Sequence, residues 1–533
     1  MTNHPRAASS LLLLALCLMA VPAFAQNDPV AGSPEQYVLR FEISSYLVEG
    51  ATLLTKAEID HAVAPYTGKN KDFSDVQRAL EAIEDLYARH GYSAVRVSLP
   101  EQELELGTVR FRVVESRFGK VVVKDNRHFS ESNVQRALPS VRPGGVPRSS
   151  KIGRELKLAN ENPARQMNVV LKAGEKEDEV DANVIVTDSL PGAWTVTADN
   201  SGTTETGRAR AGLAYRHANL FDKDHVAGLQ YQTSPQHPNR VTVLGGSYKI
   251  PLYGWGDSVE FFGGYSNVNS VVGGLSNFQG GGALLSARYN ISMDKIGKFD
   301  PHLALGLDWR KFRRIEQTTP PPATVIYNEI AVMPASINLS LQGKFARSDL
   351  GFNASYSANV PGVYKGHKAD FDAYDPFGAL QPKPHYSVMR YGANYAQVIG
   401  GDWQLRALFA GQWSRDVLIL GEQMRLGGAD GVRGFAEGAE SGERGLRWSF
   451  EGYTPDLVRT ESSARALIFF DAGETMTING ARSFISSAGI GLRVTVHGQY
   501  TLRMDAARVM NEGADPLSRV GDWRGHVGMS AVF

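Results

Sequence analysis

From Trp194 to Phe533 helical periodicity is absent, and segments of alternating apolar and polar residues follow one another. Sixteen can be delimited: 194–201, 208–218, 224–235, 239–251, 257–268, 280–292, 299–314, 329–344, 348–360, 385–400, 402–416, 445–457, 464–473, 484–498, 500–510 and 523–533. An even number of such segments is the pattern of strands that close into a membrane barrel, with one face toward lipid and the other toward a wet interior. The connections sharpen the reading. Short links follow even-numbered segments: 346–348, Gly401, and His497-Gly498-Gln499. Long links follow odd-numbered ones: 268–280, 312–328, 361–384 and 417–444. A soluble sandwich has no reason to sort loop length by strand parity. Short periplasmic turns and long external loops are what a transmembrane barrel shows, and both barrel ends then face the periplasm.

The last segment carries a second test. Trp523, Val527, Met529, Ala531 and Phe533 share one face, while Arg524, His526 and Ser530 occupy the other. Such half-apolar strands explain why the chain looks soluble on average, with a mean hydropathy of −0.24 and 42% hydrophobic residues. The 533 residues balance 56 basic against 56 acidic side chains, which argues against a nucleic-acid binder. The single cysteine excludes a disulfide scaffold and a Cys-rich zinc module. That residue, Cys17, lies within Leu11 to Val21, an apolar run too short to span a bilayer and followed by Ala23-Phe24-Ala25. We expect a secretory signal over 1–25, cleaved after Ala25, which leaves a mature chain without cysteine.

Two small α/β modules are expected between signal and barrel, over 37–116 and 117–190. Val38 to Ile43 reads as a strand, Thr55-x-x-Glu58 and Ser74-x-x-Gln77 as capping boxes. Val76, Leu80, Ile83 and Tyr87 recur at helical spacing up to Gly91. Ala94 to Leu99 and Val109 to Val113 then alternate as strands, giving the order β-α-α-β-β. The same order returns with Lys120 to Val123, helices marked by Val134 and Leu138 and by Ile152 and Leu156, and strands at Met167 to Leu171 and Val180 to Val186.

Several short motifs punctuate this plan. Gly91-Tyr92 leads to Leu99-Pro100-Glu101-Gln102 and Gly107 in the first module; Asn162-Pro163-x-Arg165 lies in the second; Asp199-Asn200-x-Gly202 opens the barrel. Val432-Arg433-Gly434-Phe435 sits in the longest external loop, and Phe469-x-Asp471-x-Gly473 on the thirteenth segment. In this order the motifs resemble the transporters of two-partner secretion, the ShlB/FhaC/HecB-type members of the Omp85 superfamily, over nearly all of the expected mature chain. The resemblance implies a fold of α+β periplasmic POTRA modules plus an all-β membrane barrel, here two POTRA domains followed by a 16-stranded antiparallel transmembrane barrel over 194–533. It also implies that loop 417–444 folds back into the lumen and that Arg433 pairs with Asp471 on the inner wall.

Physical reasons support that pairing. A loop of about 28 residues in a water-filled lumen has little hydrophobic burial to order it, and an Arg–carboxylate contact can fix its tip. Gly431 and Gly434 allow backbone to approach wall. Asp471 is assigned inward, opposite in sense to Phe470 and Ala472, because a lipid-facing carboxylate would be penalised.

By resemblance, the partner is a secreted exoprotein, haemolysin- or haemagglutinin-like, with an amino-terminal secretion domain; it crosses unfolded from periplasm to cell surface. Leu99, Pro100, Glu101 and Gln102 are candidate contacts for it, although Pro100 reads equally well as a simple strand terminator. Phe533 resembles the insertion signal read by the barrel-assembly machinery, with outer-membrane lipid as the other partner. Gln26 to Gln36 is too short for the pore-plugging helix of many relatives, which leaves the inward loop as the main obstruction. A barrel-assembly insertase and a passive porin or receptor are the alternatives. Gly427-Gly428-x-x-Gly431 lacks the strand-to-helix context of a phosphate site, and no His pair or nucleophile elbow is present. No enzyme activity, cofactor, metal or nucleic acid is expected.

Overall fold

The computed structural model describes residues 39–103, 107–203, 206–271, 279–317, 324–458 and 460–533. The expected signal over 1–25 and the stretch Gln26–Gln36 lie outside these residues.

In the first module Thr55 caps helix Lys56–Val63: its hydroxyl accepts from the Glu58 amide, and the Glu58 carboxylate accepts from the Thr55 amide at 2.9 Å. The second helix, Phe73–Arg89, is capped by Asp72 rather than by the expected Ser74–Gln77 box. The Asp72 carboxylate accepts from the Ser74 and Asp75 amides at 2.8 and 3.2 Å. A carboxylate complements the positive helix end, and Gln77 instead reaches along the helix to Glu81. Val76, Ala79, Ile83 and Tyr87 line its buried face.

The expected first strand is split. Phe41–Ile43 pairs only with Gly68–Lys71, and the module's sheet begins at Ser45–Glu49. That strand runs parallel to Thr108–Glu115, which pairs antiparallel with the edge strand Val95–Ser98. The second module repeats the topology: Arg117–Lys124 runs parallel to Glu179–Asp188, which pairs antiparallel with Arg165–Ala173.

The barrel is closed and antiparallel. Its sixteen strands are, in order, Gly192–Asp199, Arg210–Leu220, His225–Thr233, Val243–Leu252, Asp257–Val271, Gln279–Ser292, Phe299–Phe312, Ile330–Val332 continued by Pro334–Lys344, Ser348–Asn359, Ser387–Val398, Gln404–Trp413, Arg444–Tyr453, Ser463–Met476, Arg482–Val496, Tyr500–Asn511 and Trp523–Val532. The alternation sorts as expected on the thirteenth strand: Ile468 and Phe470 are 67% and 41% exposed on the lipid face, whereas Phe469 and Asp471 are buried inside. Among the described residues no helix is long and apolar enough to cross a membrane. Loop parity has two exceptions. The periplasmic link after the twelfth strand runs over 454–462, and the external link after the thirteenth only over 477–481.

The motifs of the first half land at joints. Gly91 holds φ at +83°, and an added Cβ would lie 2.6 Å from the Ser150 hydroxyl, so only glycine lets the second module's helix start here. Ser149 donates its amide to the Gly91 carbonyl at 2.8 Å, and the Arg148 guanidinium lies over the Tyr92 ring. Arg165 binds Asp224, in the first periplasmic turn of the barrel, through Nη1 at 3.0 Å and Nη2 at 2.7 Å; the side chains are 0% and 2% exposed. Asn162 donates to the Ala218 carbonyl at 2.8 Å, and the Tyr253 hydroxyl donates to Asp224 at 2.6 Å. Asn133 donates to the carbonyl of Asp222, whose φ is +54° in a turn that also places Phe221 and Asp224 in the left-handed region. Arg154–Asp294, Lys157–Asp300 and Glu161–Lys249 carry the same docking to neighbouring parts of the periplasmic rim.

The last strand closes on the first over a short register, from Gly528 opposite Asp199 to Val532 opposite Thr195. Asn200 lengthens this seam: its side chain donates to the Gly525 carbonyl and accepts from the Val527 amide, both at 2.9 Å. Phe533 exchanges two 2.9 Å backbone hydrogen bonds with Trp194, and its ring stands edge-on to Tyr500.

Two outcomes are expected. Arg165→Ala strands the Asp224 carboxylate in a dry joint and should cost about 3–5 kcal/mol. Limited proteolysis between Asp188 and Gly192 should then accelerate, and unchanged protection in a folded barrel would show that the joint is held elsewhere. Second, burial raises the pKa of Glu115, but hydrogen bonds from the Thr52 hydroxyl, the Leu53 amide, Tyr87 and the Thr52 amide outweigh it and hold the carboxyl below its ordinary 4.5. A carboxyl with a lower pKa in the folded chain adds stability above its unfolded pKa, which is lost as pH falls toward the folded value. Glu115→Gln should therefore weaken the first module at neutral pH and flatten its loss below about pH 4.5, read by amide exchange in Phe73–Arg89.

Candidate functional site

A sixteen-stranded barrel is too wide for wall side chains to fill, so its lumen is open unless loops enter it. Loop 417–444 enters. It descends through a short 3-10 turn, Leu420–Glu422, pairs Met424–Leu426 with Glu440–Gly442, and carries Val432-Arg433-Gly434-Phe435 at its tip.

Arg433 is 2% exposed and lies against Asp471, which is fully buried. Its Nε donates to Asp471 Oδ2 at 2.6 Å and its Nη2 to Oδ1 at 2.8 Å, the bidentate geometry that suits a guanidinium; its backbone amide adds a third contact at 3.2 Å. Ser449 donates to the same carboxylate at 2.6 Å, while Arg433 Nη1 reaches Glu451 at 2.9 Å and Asp505 at 3.3 Å. The guanidinium stacks 3.5 Å over the Phe469 ring. Phe469 lies flat on the wall because Gly489 opposite leaves the room: a Cβ there would come within 2.5 Å of the ring.

The rest of the two motifs shapes the fit. Val432 and Phe435 are fully buried and pack with Leu426, Ile485 and Val509. Gly473 makes space for Leu426, whose Cδ1 would lie 2.7 Å from an added Cβ. Gly434 holds φ at +96° with an added Cβ 3.3 Å from Ala507, and its amide donates to His526 Nε2 at 3.1 Å. Arg493 and Arg503 hold Asp505 from the side at 2.8 and 2.9 Å, and Arg503 also reaches Asp430 in the loop. Arg433, Asp471, Asp505 and Glu451 form the buried centre of this cluster, and Arg493 and Arg503 bring positive charge to it from its partly exposed edge.

Sequence reasoning does not reach Glu451, Asp505 or Ser449. Their only signal is an inward register on strands whose neighbours face lipid. His526 stands on the polar face assigned to the last strand, but its loop contact needs the fold. The polar lumen expected from alternation is also incomplete. From the external end at Val243 and Val388 down to Leu284 and the mid-strand Phe262, inward wall residues are buried in one cluster with Phe371, Tyr374 and Tyr386 of a second infolding loop, 360–386. Those residues satisfy the alternation rule yet find apolar partners in a loop rather than water.

In the first module Leu99, Pro100 and Glu101 are exposed just beyond the edge strand Val95–Ser98, the first of them 41% exposed. Gln102 is committed inside the module: its amide group accepts from the Arg110 backbone N–H at 2.7 Å and donates to the Arg110 carbonyl at 2.8 Å.

A closed barrel with a loop pinned inside it by a buried arginine, carried behind docked α/β modules, defines an outer-membrane protein transporter. The chain belongs to the haemolysin secretion/activation protein family ShlB/FhaC/HecB, whose model matches residues 179–494, and a POTRA domain of the ShlB type matches residues 41–116. It is similar to the heme/hemopexin transporter protein HuxB of Haemophilus influenzae strain 86-028NP, at 23% identity over 87% of this chain and 83% of that protein. The outer membrane transporter CdiB of Escherichia coli is 26% identical over 77% of this chain and 69% of the relative. A solved structure of CdiB from Escherichia coli shares the fold with a TM-score of 0.76 at 20% identity, covering 94% of this chain and 92% of the other. The protein is a two-partner secretion transporter of the outer membrane, its POTRA region in the periplasm, and it moves an exoprotein across that membrane.

Gly434→Ala places a methyl group at a left-handed residue, a conformation that costs about 1–2 kcal/mol, and crowds Ala507. The tip should leave the wall more often, and external trypsin should cleave after Arg433 severalfold faster. Equal cleavage in the two proteins would show that the tip is not held at this point.

Proposed function

We propose that the exoprotein is captured unfolded by the periplasmic modules and passes through the lumen when loop 417–444 leaves its wall contact. The observation that supports this reading most is the Arg433–Asp471 pair: desolvated and bidentate, it holds a loop inside the barrel against its wall. An open sixteen-stranded lumen is wide enough for an extended chain, so gating falls to what enters it.

Capture is assigned to strand addition. Val95–Ser98 is the edge of its sheet, and its outer backbone groups can hold an extended segment without reading a particular sequence. Leu99, Pro100 and Glu101 stand exposed beside it, ready to contact side chains of the incoming strand. Residues 117–190 act as a second POTRA domain, and the buried Arg165–Asp224 joint keeps the modules aimed at the pore.

The partner is a haemolysin- or haemagglutinin-like protein with an amino-terminal secretion domain. Its folding at the surface drives transport, with no catalytic step and no cofactor. The exposed apolar belt faces outer-membrane lipid, and Phe533 is read by the assembly machinery on insertion.

Arg433→Ala leaves three wall carboxylates without their loop cation; the untethered tip lets ions leak but no longer clears the lumen for a chain, so secretion should fall to background while the barrel stays folded, as judged by heat-modifiable gel mobility. In the same cells a photo-cross-linker at Leu99 should capture the stalled exoprotein. Wild-type secretion by the variant, or no adduct at Leu99, would refute the corresponding step.

A further inference from the structure

The same loop makes a second buried charge contact, at its root and of opposite polarity. Glu422 closes the 3-10 turn Leu420–Glu422 with its side chain fully buried. Oε1 accepts from Arg310 Nη1 at 2.8 Å and Oε2 from Arg390 Nη2 at 3.2 Å, while its carbonyl accepts from Gln412 Nε2 at 3.0 Å. The wall arginines are themselves braced: Arg310 by Asp308 at 2.5 Å, which accepts from Ser286, and Arg390 by Gln412 at 2.8 Å. Gly421 brings the turn hard against the wall, where an added Cβ would overlap the Phe312 ring.

The two contacts stand on different arcs of the barrel. Arg310 and Arg390 project from the seventh and tenth strands, whereas Glu451, Asp471 and Asp505 project from the twelfth, thirteenth and fifteenth. Arg310 and Asp505 are eight strands apart in a ring of sixteen, while Arg390 and Gln412, on the tenth and eleventh strands, carry the root contact round to the strand beside Glu451. Their depths differ too. Arg310 is near the external end of its strand, and Asp471 and Asp505 are near the middle of theirs. Sixteen strands at about 4.8 Å spacing and a tilt of about 40° give a backbone diameter of roughly 30 Å. The stretch from Glu422 to Arg433 could span at most about 36 Å if extended, and the turn in which the Gly431 amide donates to the Gly428 carbonyl shortens it.

We infer that Glu422 is a second latch, and that loop 417–444 is a crossbar held at both ends rather than a flap pinned at its tip. Glu422 positions the loop's descending limb, Arg433 its tip, and the pore clears only when both are released. The root latch also answers to the external surface. Leu418 and Ile419, directly before it, are fully buried against Phe371 and Tyr374 of loop 360–386, and the Leu420 amide donates to the Tyr374 hydroxyl at 3.3 Å. Release of the root therefore moves the outer loop as well, and the exported chain meets this contact last.

The inference rests on the reading that loop 417–444 obstructs the pore, and the test separates the two. Purified full-length Glu422→Gln, Arg390→Gln, Arg433→Ala and wild-type proteins are compared in planar lipid bilayers, with heat-modifiable mobility as the control for folding. Glu422→Gln should raise the frequency of large openings severalfold, with Arg390→Gln changing it in the same direction by less. Arg310→Gln added to Glu422→Gln should change little further, because both remove one contact. External trypsin should still spare Arg433 in Glu422→Gln, since the tip contact is intact. Wild-type conductance in folded Glu422→Gln and Arg390→Gln, with Arg433→Ala raised, would overturn the second latch alone. Wild-type conductance in all the variants would overturn the obstruction reading and the latch with it. If Glu422→Gln does not fold, Arg390→Gln decides by itself, with an unchanged value again overturning the latch.

Discussion

In a bilayer every backbone polar group must find its partner within the protein, and a sheet can meet that demand only by closing on itself. The rest of this structure follows from that closure. Sixteen strands close into a ring too wide for wall side chains to fill, so the interior is a channel. The loop that enters this channel buries two small apolar clusters, Val432 and Phe435 at its tip and Leu418 and Ile419 at its root. Charge adds direction to that burial: loop 417–444 is also held by arginine–carboxylate contacts that the loop itself desolvates. Removing either partner of such a contact is costly, because the other is left buried and uncompensated. On the proposed reading, release of these contacts is what opens the pore.

The same economy of means appears at the joints. Gly91-Tyr92 meets the second module, Asn162 and Arg165 meet the first barrel turn, and Asn200 extends the seam between first and last strands. Each motif is short because a joint needs only one or two groups of fixed geometry. Arg165–Asp224 is the strongest of them, since it is buried on all sides and shares its carboxylate with Tyr253. Modules docked in this way transmit position to the pore mouth, whereas a linker would let them swing.

Much of the architecture was legible in sequence, for a reason that the barrel makes clear. A strand with lipid on one face and lumen on the other has to alternate, so the thirteenth strand could be oriented, with Asp471 inward, before any contact was known. Loop parity placed the periplasmic side. Local chemistry was legible less securely. The Thr55–Glu58 box formed, but Asp72 displaced Ser74 as the second cap, because the helix starts two residues earlier and the Val76 amide that Ser74 would have capped already donates to the Asp72 carbonyl. The first strand was misplaced because Phe41–Ile43 and Ser45–Glu49 both alternate, and only pairing with Thr108–Glu115 selects the second.

By itself the sequence determined the order of parts, the strand count, the outward and inward faces, and the motif pair Arg433 and Asp471, since each depends on local periodicity or a few adjacent residues. Tertiary structure decided which other groups complete that pair. Glu451, Asp505 and His526 are contributed by strands far apart in the chain, and no spacing connects them to the loop. It also decided that Glu422 meets Arg310 and Arg390, and that apolar wall residues lie under loop 360–386 rather than in water. Periodicity fixes which way a side chain points. What it meets there depends on how the ring closes and where the loops fold back, and that information is not local.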